Sequence, residues 1–529
     1  MPAHSTVTAD LDMAGLIAES IRRTPGQVAI GVADGSMPLT YRQLDQLARS
    51  LARQLSGAGI TSADTVALYC DDRPEFVIAM LAAWQLGAAV APINPQLAAA
   101  EVPARLTAAG ASAVLLPVLL RRGYPAGALP AWAIKADAGG SAVTLTAVPS
   151  GSGTGAAKVP AQRGQDPGKA SRTSAALLLA TTGSTGEPKV VPLTHANLAA
   201  SVRGIRSCYH LGPGDATLVV MPLFHSHGLV GGLLATLASS GAAYFPAAGR
   251  FSAHLFWNEI TRTNATWYTA VPTIHQILLA RAATEFPAGN RPALRFIRSC
   301  SAPLAPAVLH RTEELFGAPM IDAYGMTETT HQAASNSLPD DGGHKEGSVG
   351  LPSGLQIRIV TPDGTPAGTE EVGEVCVRGP AVADGYLNDP QATAMAFVNG
   401  WFHTGDLGHL DVDGYLFLKG RIKEIINRGG EKIAPQTVEA ALLSNPDVQE
   451  AAAFAVPDPK YGEDVNAAVI LQPDSDATEA DLKRHCQAGL AAFEVPARIY
   501  FPDRFPRTAK GDPDRRALAA AFTGPQPAA

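Results

Sequence analysis

Apolar runs of strand length recur between segments of helical period, and this alternation limits the possible fold more than any other feature of the chain. Thr65-Val-Ala-Leu-Tyr69 reads as a buried strand, Glu75 to Leu86 as a helix and Ala88-Ala-Val-Ala-Pro-Ile93 as a second strand. Neither run alternates apolar with polar residues, as expected of strands covered on both faces. Strand–helix–strand order with right-handed crossovers builds a parallel sheet. Leu39 to Ala52 carries apolar residues at helical spacing, with Thr40 as its N-cap. The pattern breaks at Ser150 to Ser174, a Gly-, Ser- and Pro-rich stretch that reads as a mobile surface loop. It resumes at Ala175-Ala-Leu-Leu-Leu-Ala180 and runs to about residue 340.

After Gly350 the texture changes. Short β runs at Ile357-Arg-Ile-Val360, Gly373-Glu-Val-Cys-Val-Arg378 and Gly414-Tyr-Leu-Phe-Leu-Lys419 are separated by Asp-Gly turns, which predicts a small antiparallel sheet or barrel. From Lys423 a final α+β unit is expected, with helices at 435–443 and 479–490 and strands at 451–456 and 465–471. The expected class is therefore α/β. A large N-terminal domain (residues 1–422) holds parallel α/β sheets and a small β subdomain, and a smaller C-terminal α+β domain spans 423–529.

Composition narrows the function. The chain has 529 residues, long enough for three or four domains or subdomains, and 46% are hydrophobic against 17% charged, which excludes a disordered chain. A net charge of −7 gives no bulk attraction to nucleic acid or anionic lipid. None of the five cysteines forms a C-x-x-C pair, so zinc-ribbon and thioredoxin-type chemistry is not expected, and a reducing, cytoplasmic setting is. No secretory signal and no apolar run of membrane-spanning length is found in the sequence.

The sharpest chemical signal is Thr181-Thr-Gly-Ser-Thr-Gly-Glu-Pro-Lys189, directly after an apolar strand. Small hydroxyl residues and two glycines let backbone N–H groups wrap closely around phosphate oxygens, and Lys189 adds a point charge. It is not a Walker A loop, because G-x-x-x-x-G-K-[ST] is absent. Asp322-Ala-Tyr-Gly-Met-Thr-Glu328, Gly400-Trp-Phe-His-Thr-Gly-Asp406 and Gly420-Arg-Ile-Lys-Glu-Ile-Ile-Asn-Arg-Gly-Gly-Glu-Lys432 follow in order. Asp406 alone would read as a turn residue; as an ionised acceptor it also suits paired ribose hydroxyls.

Together these four ordered motifs resemble the AMP-forming adenylate superfamily, and the resemblance covers nearly the whole chain. Met221-Pro-Leu-Phe-His-Ser-His-Gly228, Ala247 to Ala253, Asn264 to Gln276, Leu294-Arg-Phe-Ile-Arg-Ser-Cys-Ser-Ala302 and Thr329-Thr-His-Gln-Ala-Ala-Ser-Asn336 resemble its oxalate–CoA ligase branch. The resemblance implies two half-reactions: a carboxylate attacks the α-phosphorus of ATP and releases pyrophosphate, and the thiol of coenzyme A then displaces AMP. Between them the C-terminal domain rotates. Carried over by position, Thr181, Thr182, Gly183, Ser184, Thr185, Gly186 and Lys189 hold the β- and γ-phosphates, with Asp322, Ala323 and Tyr324 at the adenine. Thr327 contacts the α-phosphate, Glu328 helps hold Mg²⁺, and Asp406 and Arg421 bind the ribose. Lys423 sits at the hinge, and Gly430 and Glu431 line the thiol tunnel. His225, Ser301 and His331 fall at the acyl pocket, where two imidazoles and a hydroxyl would bind the second carboxylate of oxalate through charge-assisted bonds. A metal held by His225 and His227 is not expected, since no third ligand follows at a suitable spacing.

One departure stands out. The family's C-terminal lysine, which bridges substrate carboxylate and α-phosphate, falls here on Asp512, and Lys510 lies two residues earlier. In extended backbone those two positions face the same side, about 6.5 Å apart, so Lys510 is the candidate replacement. Two alternatives stay open: a synthetase for medium or long acids, and a nucleotide-binding homologue impaired by Asp512. The sequence points to small-molecule partners and assigns no oligomeric state.

Overall fold

The computed structural model describes residues 12–118, 129–137, 139–148, 175–181, 189–286, 291–342, 344–472, 474–507 and 513–523. Thr182, Gly183, Ser184, Thr185 and Gly186 of the expected phosphate loop, the 150–174 stretch, Lys510 and Asp512 lie outside the described residues, apart from the loop's ends at Thr181 and Lys189.

The apolar runs assemble two large sheets. One has seven strands in the order Val143–Ala147, Ala131–Ala136, Ala113–Pro117, Thr65–Tyr69, Ala89–Ile93, Ala175–Ala180 and Val190–Thr194. Its interior strands run parallel and both edge pairs antiparallel. The other has nine strands, ordered Leu351–Pro352, Ala334–Ser335, Met320–Tyr324, Phe296–Cys300, Trp267–Ala270, Ala216–Leu218, Ala242–Phe245, Val28–Val32 and Leu39–Thr40. It too is parallel inside and antiparallel at its edges. The expected parallel α/β architecture is therefore present.

One apolar core takes residues from both sheets, Ile30 and Phe245 from one and Val66, Val90 and Leu177 from the other. Helix Pro74–Gln85 contributes to that core nearly all round its circumference, from Phe76 through Trp84. A helix apolar on every side is stable only when buried, and the Trp84 indole N–H donates to the Ala176 carbonyl at 2.9 Å. Helix Tyr41–Gly57 instead buries one stripe, Leu44, Leu47, Leu51 and Leu55, and starts as expected at Thr40. There the Thr40 hydroxyl accepts from the Gln43 N–H at 3.2 Å while the Gln43 side chain accepts from the Thr40 N–H at 2.9 Å. Truncating the fully buried Leu51 to alanine would cost about 2–5 kcal/mol.

The β subdomain is the expected antiparallel sheet, built from Gln356–Val360, Gly373–Arg378, Phe397–Val398, Trp401–Leu410 and Leu416–Arg421. A further five-stranded sheet is formed by Ile426–Arg428, Glu431–Ile433, Val448–Asp458, Gly462–Leu471 and Arg498–Tyr500. Helices Pro435–Leu443 and Glu479–Gly489 pack on it around a core of its own, with Ile433, Val438, Leu442, Val465, Val469 and Leu482.

Candidate active site

In open α/β sheets ligands bind beyond the carboxyl ends of parallel strands. Three adjacent strands of the nine-stranded sheet, Trp267–Ala270, Phe296–Cys300 and Met320–Tyr324, end at the residues the sequence singles out. Met320–Tyr324 carries Asp322, Ala323 and Tyr324 and leads into a short turn, Thr327–Thr329, with Thr327 and Glu328.

Three of the residues expected on the nucleotide side, Tyr324, Asp406 and Arg421, converge. The Tyr324 hydroxyl donates to Asp406 Oδ2 at 2.6 Å, and Arg421 Nε donates to Asp406 Oδ1 at 2.9 Å. Asp406 and Arg421 face each other in antiparallel register, which aims both side chains at one spot. Asp406 is buried while 52% of the Arg421 side chain is exposed, so the guanidinium stands half open to solvent. The Asp406 carboxylate is the main cause holding Arg421 above its ordinary value.

On the other flank, the ends of the 181–189 segment are clamped by the Thr181 N–H donating to the Lys189 carbonyl at 2.7 Å. Lys189 Nζ lies 4.5 Å from the centre of the Tyr386 ring, a cation–π contact. The Tyr386 hydroxyl donates to Glu328 Oε1 at 2.9 Å, and the Ala383 N–H donates to the Glu328 carbonyl at 2.8 Å. Burial and the Glu328 carboxylate push the Tyr386 phenol up, so it donates at any ordinary pH. Lys189 and Glu328, far apart in sequence, are thus tied together by Tyr386, which nothing in the sequence pattern marks. Asp322 is strongly affected by its surroundings: burial pushes its carboxyl up to about 8.

The residues expected at the acyl pocket form a second cluster. Ser301 Oγ lies 3.1 Å from His227 Nδ1, and the His227 and His331 rings stack 4.9 Å apart. His227 begins a π-helical segment, His227–Leu234, a geometry frequent at functional sites. His227 Nε2 is 2.6 Å from Thr269 Oγ1. Arg298 lies beneath and is 0% exposed. It donates to Tyr209 Oη at 2.9 Å, Thr269 Oγ1 at 3.0 Å and Gln332 Oε1 at 2.9 Å. Among the described residues no carboxylate comes within ion-pair distance of Arg298, and the acid whose charge is felt there, Asp322, has the raised value just given. The floor of this cluster is therefore a cation with neutral partners.

Burial first, then Arg298, pushes both His227 and His331 far below the ordinary imidazole value. Burial thus favours the neutral form of both rings, and the fixed positive charge of this cluster resides on Arg298. His225 is half-buried, with its ring centre 4.5 Å from that of Phe224. Ser301 and His331 both hold positive φ, 77° and 89°, strain of the kind that clusters at ligand sites. Two glycines permit the packing. A Cβ on Gly325 would sit 1.6 Å from the His331 carbonyl oxygen, and one on Gly231 would sit 2.4 Å from His331 Nε2.

Lys423, Gly430 and Glu431 are exposed, Lys423 in the turn Ile422–Glu424 and Gly430 at φ 102°. Among the described residues no side-chain hydrogen bond or ion pair joins them to the two clusters.

The model of the AMP-binding enzyme family matches residues 17–387, and that of the AMP-binding enzyme C-terminal domain matches 437–512. The chain belongs to the AMP-binding enzyme family. It is an AMP-forming CoA ligase, using ATP and coenzyme A. The oxalate–CoA ligase of Arabidopsis thaliana is 46% identical to it over 518 residues, covering 96% of this chain and 98% of that protein. Among solved structures, ATP-bound MatB from Rhodopseudomonas palustris matches this ligase with a TM-score of 0.81 at 26% identity, covering 97% of this chain and 99% of that one. The o-succinylbenzoate CoA synthetase of Bacillus subtilis, in complex with its acyl-adenylate intermediate, matches with a TM-score of 0.77 at 28% identity, covering 95% and 97%. No helix among the described residues of the ligase is long and apolar enough to cross a membrane.

Proposed function

We propose that this ligase joins oxalate to coenzyme A through an oxalyl-adenylate. One observation carries the choice of acid: Ser301, His227 and His331 stand over Arg298, a buried cation that no described carboxylate neutralises. A small dianion suits such a floor, whereas a fatty chain requires an apolar channel. The similarity to an oxalate–CoA ligase supports the same choice.

In the first half-reaction an oxalate oxygen bonds to the α-phosphorus of ATP, the bond from that phosphorus to the α,β-bridging oxygen breaks, and pyrophosphate leaves with the electron pair. A carboxylate attacking a polyanion must overcome like-charge repulsion, so cations are needed where charge develops. Lys189 and the loop Thr181, Thr182, Gly183, Ser184, Thr185 and Gly186 take the β- and γ-phosphates. Thr327 takes the α-phosphate, and Asp322, Ala323, Tyr324, Asp406 and Arg421 take adenosine. The donor set fits Mg²⁺: one carboxylate, Glu328, oriented by the Tyr386 hydroxyl, suits an ion that keeps most of its shell as water and phosphate oxygen. Mg²⁺ would supply charge neutralisation at the phosphates. His225, Ser301 and His331 hold the distal carboxylate, and Lys510 takes the place of the lysine missing at Asp512. In the second half-reaction residues 423–529 turn about Lys423 against residues 1–422. The coenzyme A sulfur, entering past Gly430 and Glu431, bonds to the acyl carbon and AMP leaves.

Incubation with oxalate, ATP, Mg²⁺ and coenzyme A is expected to give oxalyl-CoA and AMP in equal amounts by mass spectrometry. Nucleotide binding with no thioester from oxalate would refute the proposal and favour the impaired reading that Asp512 motivates.

A further inference from the structure

We propose that Arg298 and Thr269 act as a proton-ordering relay that fixes the tautomer of His227 and aims the Ser301 hydroxyl hydrogen into the acyl pocket. The proposal deepens the preceding one and rests on its placing of the acid against Ser301.

The relay follows from counting donors and acceptors. Guanidinium has five N–H donors and no acceptor. Arg298 Nη1, 3.0 Å from Thr269 Oγ1, can therefore only donate to it. Arg298 and Thr269 are register partners on adjacent parallel strands, so the contact is built into the sheet. Thr269 has one hydroxyl hydrogen, and its other hydrogen-bond neighbour is His227 Nε2 at 2.6 Å. With Arg298 occupying an acceptor site on Thr269, the Thr269 hydrogen goes to His227 Nε2, which must then be the bare nitrogen. The alternative leaves a buried hydroxyl hydrogen unsatisfied, at a cost of about 1–3 kcal/mol. A neutral imidazole with bare Nε2 carries its hydrogen on Nδ1, and Nδ1 lies 3.1 Å from Ser301 Oγ. Ser301 thus accepts from His227, and its own hydrogen is left to donate. Among the described residues the receiver beside it is the adjacent Cys300 sulfur, a weak acceptor, so the oxygen of a bound acid would be the stronger one.

The direction of every bond is thus set from Arg298 outward: Arg298 to Thr269, Thr269 to His227, His227 to Ser301, Ser301 to the acid. The buried charge reaches the pocket as an oriented chain of donors that favours an anion. Neutral His227 is needed for this, because a doubly protonated ring would leave no acceptor for Thr269. Arg298, Thr269 and His227 are positioning residues here, acting through Ser301.

The test reads the tautomer directly. In ligase labelled with ¹⁵N only in histidine, the His227 signals, assigned by their loss in His227→Gln, are expected to show a protonated Nδ1 and a bare Nε2. Thr269→Val keeps the side-chain shape and removes the hydroxyl, so His227 should shift toward the other tautomer or a mixture. KM for the preferred acid should rise about tenfold, the value of one hydrogen bond, with KM for ATP unchanged. Thr269→Ser should restore both. A protonated Nε2 in wild type, or a Thr269→Val enzyme with unaltered tautomer and acid KM, would overturn the relay. The tautomer is read without any acid present, so its failure is distinct from failure of the oxalate proposal. An enzyme preferring another acid but retaining the tautomer and the Thr269→Val effect would keep the relay and reject oxalate.

Discussion

Gly231→Ala is a one-carbon probe of the proposed acyl pocket. The added Cβ would lie 2.4 Å from His331 Nε2 and 2.5 Å from Cδ2. Unstrained contacts need about 3.5 Å, so the ring must retreat by roughly 1 Å. It has little room to do so. The ring stacks on His227 at 4.9 Å, the His331 N–H is held by the Met326 carbonyl at 2.9 Å, and the His331 carbonyl lies close against Gly325. The displacement therefore passes to His227 and on to Ser301. A misplacement of about 1 Å near reacting groups costs on the order of 100-fold, about 2.7 kcal/mol of transition-state stabilisation. Overall stability should change less, because overpacking by about 1–3 kcal/mol is partly offset by the roughly 1 kcal/mol helix preference of alanine over glycine. The assay is AMP release with oxalate varied at saturating ATP and coenzyme A. The expected result is a kcat/KM for oxalate down about 100-fold with KM for ATP within about twofold. A Gly231→Ala ligase within about threefold of wild type in kcat/KM would mean that His331 does not meet the acid.

Three further outcomes are expected. Tyr386→Phe removes the hydroxyl that orients Glu328, so the Mg²⁺ concentration giving half-maximal rate should rise about tenfold, measured as initial rates across a Mg²⁺ series. Asp322 has a folded-state value raised from 3.8 to about 8, so its contribution to stability is complete below about pH 4 and is lost as pH rises through about 8. Asp322→Asn should therefore unfold at a higher temperature than wild type at pH 9, with the gap narrowing as pH falls below about 8 and closing toward about pH 4, by differential scanning fluorimetry. Lys510→Ala should abolish oxalate-dependent exchange of pyrophosphate into ATP; unchanged exchange would remove Lys510 from the role vacated at Asp512.

Much of the architecture is legible in the sequence because burial imposes period. Thr65–Tyr69, apolar but for its first residue, and Ala113–Pro117, apolar throughout, are buried on both faces. The Thr40 cap and the leucine stripe of Tyr41–Gly57 announce an amphipathic helix. The site is only partly legible. Tyr324, Asp406 and Arg421 carry their motif context with them, and the structure brings them into direct contact. Arg298 sits in the strand Phe296–Cys300, where a charged residue breaks the apolar run. That break is a usable signal, but its meaning depends on Tyr209, Thr269 and Gln332 from three other segments. His225 and His227 flank one serine and look equivalent in sequence; a π-helical start turns His227 inward onto Ser301 and Thr269. Tyr386 gives no warning at all, because its role arises only where the Lys189 and Glu328 segments meet it.

Competition among acids for a limiting amount of coenzyme A is the most direct measurement. The ligase is given equal concentrations of oxalate, malonate, succinate, acetate and dodecanoate with ATP and Mg²⁺, and the thioesters are resolved by mass. Oxalyl-CoA is expected to dominate the products. Dodecanoyl-CoA as the main product would contradict the assignment of a small dianion to the pocket above Arg298.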